Sequence, residues 1–379
     1  MALTYQGLES GGLWAGNRDD IIIGGVTDDV RIRFTVSDSS GQLATFTERY
    51  TAIDGKIRIL RLGDIAKTYF KMPSLESTSQ LWGVRPVISG EVFDLDGGSL
   101  GSFSQAYYYS EFPMEIPLPA NYKSFLTRYS SRTILPGQWE YLAWLDHSQT
   151  MVLGVAYADD VPSYGQTASQ PHYKEISFAG SGCHNIRIEQ FSLSRIISLL
   201  AGAGVQVSED QILFFDAYLN DGDTRIDEVR FKIDRNGKIH RRDLIYMNPF
   251  RIPAVMCLTG QNQRSADFNA TYLNIGTLYR KVDTNLVIKN ECYTGYIDRQ
   301  SRDAVYDLAV SEPLYRIENN QLQQITLLDL DISESEPTTE PICLKITYRL
   351  ADDECQLNFA RPIWTSRRVF DKTFDKTFD

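Results

Sequence analysis

The sequence has few of the residues from which catalytic and metal centres are commonly built. It contains four histidines in 379 residues, and none has a metal-binding spacing such as H-E-x-x-H. Its cysteines are odd in number and widely spaced, without a C-x-x-C pair, at positions 183, 257, 292, 343 and 355. A disulfide framework or a structural zinc site is therefore not expected, and reduced thiols in a protein folded in a cytoplasm are the simplest account. We predict neither a cofactor nor an enzymatic activity.

Long apolar runs and basic clusters are also missing. The formal net charge is −11, and no stripe of Lys and Arg offsets it, so the chain is not expected to bind nucleic acid. The apolar stretches are far shorter than the roughly 20 residues needed to cross a bilayer. A basic segment followed by an apolar run is not seen at the start, so we expect neither a membrane span nor a signal peptide.

Alternating apolar and polar residues dominate the chain instead. Val30, Ile32, Phe34 and Val36 alternate with polar residues, as expected for a strand with one buried face. Turn signals such as Asp54-Gly55 recur between short strands, which favours sandwiches over a parallel sheet. The predicted fold class is mainly β: tandem antiparallel β-sandwich modules with two short helices and a β-rich C-terminal region.

One structural unit is predicted to occur twice. The strand at 57–59 leads into a helix near 64–71 opened by Asp64, and the strand at 186–188 leads into a helix near 192–202 opened by Ser192. We therefore expect residues 25–110 and 150–250 to superpose. Proline-rich segments near Phe112 and Pro253 divide the chain into module 1 (1–113), module 2 (114–253, a repeat of module 1) and a β-rich C-terminal domain (254–379) whose terminal arm is 367–379.

Three patterns were considered as chemical sites. Gly97 to Gly101 matches G-x-S-x-G, but the alternation after Ser99 indicates a hairpin turn and not a nucleophile elbow. Cys183 and His184 are neighbours that point to opposite faces of a strand, which favours a structural turn. Calcium is left open at two acidic turns, which contain Asp94 and Asp96, and Asp221, Asp223 and Asp227.

The C-terminal arm is the predicted assembly site. Its tandem Phe-Asp-Lys-Thr units place Phe370, Phe374 and Phe378 on one face of an extended strand, with Asp371 and Asp375 between them. Exposed phenylalanines are a liability unless a partner covers them, so we expect the arm to add as a β-strand to another chain. A frayed terminus is the alternative.

Three segments together carry a family resemblance. The first joins Gly55-Lys56-Ile57-Arg58-Ile59 to the helix at Asp64-Ile65, and the second joins 227–231 to 244–250. The third is the strand at 348–352 with the terminal segment 369–375. This combination resembles a group of tail proteins from bacteriophages and prophages of the Bacteroides lineage.

The resemblance implies a virion structural protein of the tail tip or baseplate, assembled as a ring or trimer in the cytoplasm of the bacterial host. Its implied partners are copies of itself, other phage tail proteins and, as a further option, a host surface glycan. The group brings no active-site residues to transfer. Two alternatives stay open: a carbohydrate-binding or receptor-binding adhesin module, and a β-sandwich glycan hydrolase with two close acids of raised pKa.

Overall fold

A computed structural model describes most of the chain, at residues 2–17, 20–82, 85–112, 116–147, 149–159, 171–180, 182, 185–235, 241–275, 278–295, 297, 299–318, 321–331 and 343–351. The chain is mainly β, as predicted. It forms two compact units. The first comprises Met1–Lys238, Ile245–Cys257 and Asp298–Glu312, and the second comprises Ile239–Leu244, Leu258–Ile297 and Pro313–Asp379. No helix among the described residues is long and apolar enough to cross a membrane.

The first sandwich opens the first unit. Its strands and helix are β1 Thr4–Gln6, β2 Leu13–Trp14, β3 Ile21–Gly24, β4 Val30–Asp38, β5 Gly41–Tyr50, β6 Lys56–Ile59, α1 Leu62–Lys67, β7 Ser79–Trp82, β8 Val87–Phe93 and β9 Ser99–Tyr108. A five-stranded sheet has the order β2-β9-β8-β4-β5, and a three-stranded sheet has the order β1-β3-β6. Tyr5 of the small sheet and Phe103 of the large sheet meet with ring centroids 5.9 Å apart. The apolar residues predicted on β4 are buried, as alternation requires.

A two-residue turn moves the chain from one sheet of this sandwich to the other. Asp54 (φ 51°) and Gly55 (φ 74°) both have positive φ, and the amide and carbonyl groups of Ile53 and Lys56 bond to each other across them. This matches the hairpin turn that Asp-Gly predicts. Nevertheless β5 pairs with β4, whereas β6 pairs with β3 in the other sheet.

The second sandwich follows in the same unit. Its elements are a 3-10 turn at Pro119–Asn121, β10 Ser131–Ile134, β11 Glu140–Asp146, β12 Thr150–Tyr157, β13 His172–Phe178, β14 Asn185–Phe191, α2 Leu193–Gly202, a 3-10 turn at Glu209–Gln211, β15 Ile212–Asp221 and β16 Thr224–Ile233. The large sheet has the order β10-β16-β15-β12-β13, and the small sheet has the order β11-β14-β7. Trp144, Leu153, Ile196 and Phe215 belong to one buried core, so α2 closes the space between the two sheets.

The large sheets of the two sandwiches have corresponding strand orders, whereas the small sheets differ, because β6 is an edge strand of its sheet and β14 is the middle strand. In each, the first short strand lies parallel to the last strand of the large sheet, as Leu13 to Tyr107 and Ser131 to Arg230 show. In each, a strand of the small sheet (β6 or β14) runs directly into a helix, and the next hairpin (β8-β9 or β15-β16) returns to the large sheet. This topology is the one expected of a duplicated unit. That the backbones of residues 25–110 and 150–250 superpose remains a prediction.

One strand of the first half completes the small sheet of the second sandwich. β7 pairs with β14 from Ser79 opposite Glu189 to Trp82 opposite Ile186. Glu189 is fully buried and accepts a 2.6 Å hydrogen bond from Ser79 Oγ, while Arg195 bonds both to Glu189 (2.5 Å) and to the Thr78 carbonyl. We call Ser79, Glu189 and Arg195 the latch, because they hold β7 on the second sandwich.

The two predicted helices exist, but only one begins as predicted. Ser192 caps α2 by accepting a 3.3 Å hydrogen bond from the amide of Arg195. The prediction that Asp64 opens the first helix was wrong. The residue before α1 is Arg61, in a left-handed conformation (φ 55°), and Asp64 lies inside the first turn. The helix begins earlier because Leu62 and Ala66, one turn apart, both point into the core.

A third helix was not predicted. The remaining elements are β17 Arg242–Met247, β18 Pro253–Leu258, β19 Asn262–Ile275, β20 Leu278–Tyr293, α3 Arg299–Val310, β21 Leu314–Glu318, β22 Gln321–Asp331 and β23 Lys345–Leu350. Val305 and Leu308 of α3 are buried three residues apart within the first unit. Only a narrow apolar stripe marks this helix in the sequence, whereas a β-rich C-terminal region is predicted there. In the second unit the sheet order is β21-β22-β23-β20-β19.

Candidate functional site

The longest hairpin of the chain is a two-stranded ribbon in the second unit. β19 and β20 pair from Asn262 opposite Cys292 to Ile275 opposite Leu278. Only the base of β20 has a second neighbour, since β23 pairs with it from Asn290 to Tyr293. Among the described residues, the rest of the ribbon pairs only with itself. We call β19 and β20 the ribbon.

The described part of the ribbon has two different faces. Because cross-strand partners share a face, Ala266 and Phe268 lie on the same face as Ile288. Asp267 lies on the other face, where it forms an ion pair with Lys289. Phe268 is 55% exposed, and so is Tyr272 further along. Both aromatic side chains are therefore largely exposed on the ribbon.

β19 is also the edge strand of its sheet, and its residues are arranged symmetrically about Phe268. The sequence from 265 to 271 reads Ser-Ala-Asp-Phe-Asn-Ala-Thr, so small hydroxyl, alanine and short polar residues recur at equal distances on either side. This stretch is regular, because the irregularity in pairing with β20 comes only after Thr271. Two such strands placed antiparallel about Phe268 would match Asp267 with Asn269 and oppose no like charges.

The assembly residues predicted at the C-terminus lie outside the described residues. This applies to Phe370, Phe374, Phe378, Asp371 and Asp375. Their role remains a prediction. The Cys183-His184 pair also lies outside the described residues.

The acidic turns considered for calcium use their carboxylates on the protein itself. Asp94 accepts a 2.6 Å hydrogen bond from the amide of Gly98, in the turn before β9. Asp221 forms a 2.5 Å ion pair with Lys123, and Asp227 accepts a 2.8 Å bond from the amide of Phe125. Within the described part of the chain, no three His, Cys, Asp or Glu residues are grouped to hold a metal ion.

The apparent nucleophile elbow lies where a hairpin was predicted. β8 and β9 pair antiparallel on either side of the turn, and Ser99 is the first residue of β9 opposite Phe93. A nucleophile elbow needs a helix after its serine, whereas Ser99 is followed by strand.

One cleft lies in the first unit. It has a volume of about 250 Å³ and is lined in part by Tyr109, Glu111 and Arg251. The Tyr109 hydroxyl donates to Glu111, and the Arg251 guanidinium lies 5.1 Å from the centre of the Tyr109 ring. Burial and the Glu111 carboxylate raise the pKa of Tyr109, so this hydroxyl stays neutral. Glu111 and Arg251 thus both contact Tyr109.

A second cleft, in the second unit, is basic. It has a volume of about 310 Å³ at the base of the ribbon, and three arginines contribute to it: Arg242, Arg264 and Arg316. Glu318 is the one carboxylate in its lining and is paired with Arg316. The Tyr348 hydroxyl and the Cys292 thiol lie 3.8 Å apart beneath them, and burial raises the pKa of Cys292 and raises that of Tyr348 to about 12. Both groups are therefore neutral at physiological pH.

Fold and site together define a mainly β protein with two sandwiches, whose large sheets have corresponding strand orders, and an exposed ribbon. Comparison with known proteins adds little. No family model and no curated protein matches the chain. A solved structure described as "Crystal structure of CBD12 from CALX1.2" is 7% identical and covers 62% of this chain and 99% of its own. Its TM-score is 0.18, which is too low to support a fold or a function.

Proposed function

We propose that the protein is a virion structural protein of a phage tail tip or baseplate, which acts by assembly with copies of itself and with other tail proteins. The proposal combines the resemblance of three sequence segments to Bacteroides-lineage tail proteins with the geometry of the ribbon. The ribbon is the observation that supports it best. A two-stranded hairpin is at best marginally stable alone in water, so a long one with an exposed apolar face is expected to be completed by a partner.

The partner that fits the edge of β19 is a second copy of the chain. Antiparallel pairing about Phe268 places Ala266 opposite Ala270 and Asp267 opposite Asn269, so chemically matched residues meet. The edge of β19, which no described strand pairs with, supplies the backbone hydrogen bonds, and removing Phe268 from water contributes about 1.5–3 kcal/mol in each copy.

A two-fold contact of this kind closes as a dimer. A ring or trimer would need a second, unlike contact between copies, because only head-to-tail contacts continue around a ring. The arm at 367–379 is the element that we propose for this second contact.

The contact can be tested by the mass of the purified full-length chain in solution. Phe268→Lys should reduce the mass of the assembly, because two positive charges would face each other at the two-fold axis. Mixing Phe268→Lys with Phe268→Asp chains should restore it, since opposite charges then meet at the same position. Tyr173→Lys is a matched control, because Tyr173 is 47% exposed on the edge strand β13. A wild-type monomer at all concentrations, or an unchanged mass in Phe268→Lys, would contradict the contact.

The place in the virion needs a separate experiment. Particles from the bacterium that encodes the chain should contain the protein, and gold-labelled antibodies against it should bind at the tail end in electron micrographs. Purified particles that lack the protein would contradict the proposed function.

The two alternatives receive different support. The basic cleft favours a sugar-binding role for part of the chain, which is taken up below. For a glycan hydrolase, two close acids with raised pKa are needed. Among the described residues, the carboxyl group with a raised pKa is Asp307, and it is paired with Arg128 at 3.2 Å. This pairing does not favour a hydrolase.

A further inference from the structure

The basic cleft contrasts with the charge of the chain as a whole. In a protein of net charge −11, three guanidinium groups and one carboxylate face the same space. Its residues come from β17, β19, β20, β21 and β23, and all of them belong to the second unit.

Two of the three arginines are not neutralised within the described part of the chain. Arg316 is held in place, since it donates a 2.7 Å hydrogen bond to Gln323 and pairs with Glu318. By contrast, Arg242 donates only to the main-chain carbonyl of Arg241, at 3.1 Å, and no described residue pairs with the guanidinium of Arg264. At the bottom of the cleft, the charges of Arg242 and Arg316 act to lower the pKa of Cys292, against the effect of burial.

The rest of the lining is suited to a hydroxylated ligand and not to a bare anion. Asn262, Gln263 and Asn290 supply side-chain amides, which both donate and accept hydrogen bonds. Ile288 and Leu350 supply apolar surface. A volume of about 310 Å³ is at the small end of ligand pockets, which suits one sugar unit better than a peptide.

We propose that the cleft binds a carboxylate-bearing sugar, with Arg242 and Arg264 on the carboxylate, the amides on the hydroxyl groups and the apolar residues against the ring. Arginine suits this ligand because its planar fork can donate two parallel hydrogen bonds to a carboxylate. A neutral sugar leaves both guanidinium groups unpaired, and inorganic phosphate makes no use of the apolar side. A role for this cleft in contacting host glycans rests on the proposed tail function, whereas the binding itself does not.

The test is calorimetric titration of the full-length protein with glucuronate, glucose and inorganic phosphate. Glucuronate should bind, and glucose and phosphate should each bind at least about tenfold more weakly. Arg264→Gln and Arg242→Gln should each weaken glucuronate binding by about tenfold or more, and added salt should weaken it further. Arg49→Gln is the matched control, since Arg49 is an exposed arginine on β5 in the first unit.

Several outcomes would overturn the proposal. They are an absence of glucuronate binding, equal binding of glucose, equal and competitive binding of phosphate, tighter binding of a short glutamate peptide, or full binding by both arginine variants. The result is separable from the assembly test, because Phe268 does not line the cleft. Phe268→Lys should therefore lose assembly and keep glucuronate binding.

Discussion

The large sheets of the two sandwiches share a strand order, but the two cores are filled differently. In the first, Gly90 on the central strand β8 lies between Phe34 on β4 and Phe103 on β9. The middle of these three neighbouring positions therefore has no side chain. In the second, the central strand carries Phe215, whose ring stacks on Phe231 with centroids 4.6 Å apart. Equal topology thus tolerates different distributions of volume, provided that each core is filled.

The sandwiches also differ in their buried charges. Glu140, Asp146, Glu189 and Asp216 are buried in the second sandwich. On the large sheet of the first, the pair of Arg33 with Glu91 is about half exposed, and Asp38, whose side chain is buried, pairs with the exposed Lys71. Buried charges must be paired and hydrogen-bonded to be tolerated, so the second sandwich depends on specific partners where the first depends on packing.

The largest expected effect comes from breaking the latch. Glu189→Ala should lower the free energy of unfolding by about 3–5 kcal/mol, because it leaves two largely buried guanidinium groups, Arg187 and Arg195, without their carboxylate. Glu91→Ala in the first sandwich should cost less than about 1 kcal/mol, since its pair with Arg33 is about half exposed. Urea denaturation of both variants measures the difference, and equal costs would contradict this account of the latch.

The free energy of unfolding is expected to depend on pH at Asp307, where α3 meets the segment before β10. Burial raises the pKa of Asp307 from 3.8 to about 6, Arg128 acts in the opposite direction, and Asp303 adds to the rise. Because the folded state then holds this proton more tightly than the unfolded chain, the stabilising contribution of Asp307 is complete below about pH 4. It decreases as the pH rises to about 6.

Asp307→Asn should remove this dependence. The free energy of unfolding of the variant should rise relative to wild type between pH 4 and about pH 6.5, by on the order of 2 kcal/mol. Urea unfolding at a series of pH values provides the measurement. Parallel pH profiles for variant and wild type would show that Asp307 does not titrate as inferred.

The packing around Gly90 in the first sandwich can be tested by comparing alanine substitutions at two glycines, Gly90 and Gly154. A Cβ at Gly90 would overlap the buried ring of Phe103, so Gly90→Ala should destabilise by about 1–3 kcal/mol. A Cβ at Gly154 on β12 would meet only the hydroxyl end of Tyr173, which is 47% exposed and can turn away. Thermal denaturation should therefore show a much smaller loss for Gly154→Ala, and the reverse order would contradict the packing described here.

The smallest effect concerns the two repeated helices. Ser192→Ala should cost about 1 kcal/mol, because it removes the side chain that caps α2. Asp64→Ala should change stability by less than about 0.5 kcal/mol, because Asp64 does not cap α1 and its pair with Lys67 is at the surface. Equal losses in urea denaturation would mean that the two helix starts do not differ as described.

Much of the strand pattern could be predicted from local sequence. The alternation in β4, the hairpin of β8 and β9 and the cap of α2 depend on residues close together in the chain, so their signals are local. The helix α3 escaped prediction because its apolar stripe is narrow and Asp307 occupies an inner position. The basic cleft also escaped, since its arginines are spread from 242 to 316 and no local spacing connects them.

The sequence by itself determined the mainly β class, the positions of many strands and the turn at Asp54-Gly55, because alternation and backbone preference act over a few residues. Only the tertiary structure decided which strands became neighbours. In the tertiary structure β6 pairs with β3 and not with β5, and β7 pairs with β14 of the second sandwich. Among the described residues, only the base of the ribbon has a further strand beside it. Strand pairing depends on which surfaces bury each other and on contacts between residues far apart in the sequence, such as Ser79 with Glu189. Such contacts cannot be predicted from a few neighbouring residues.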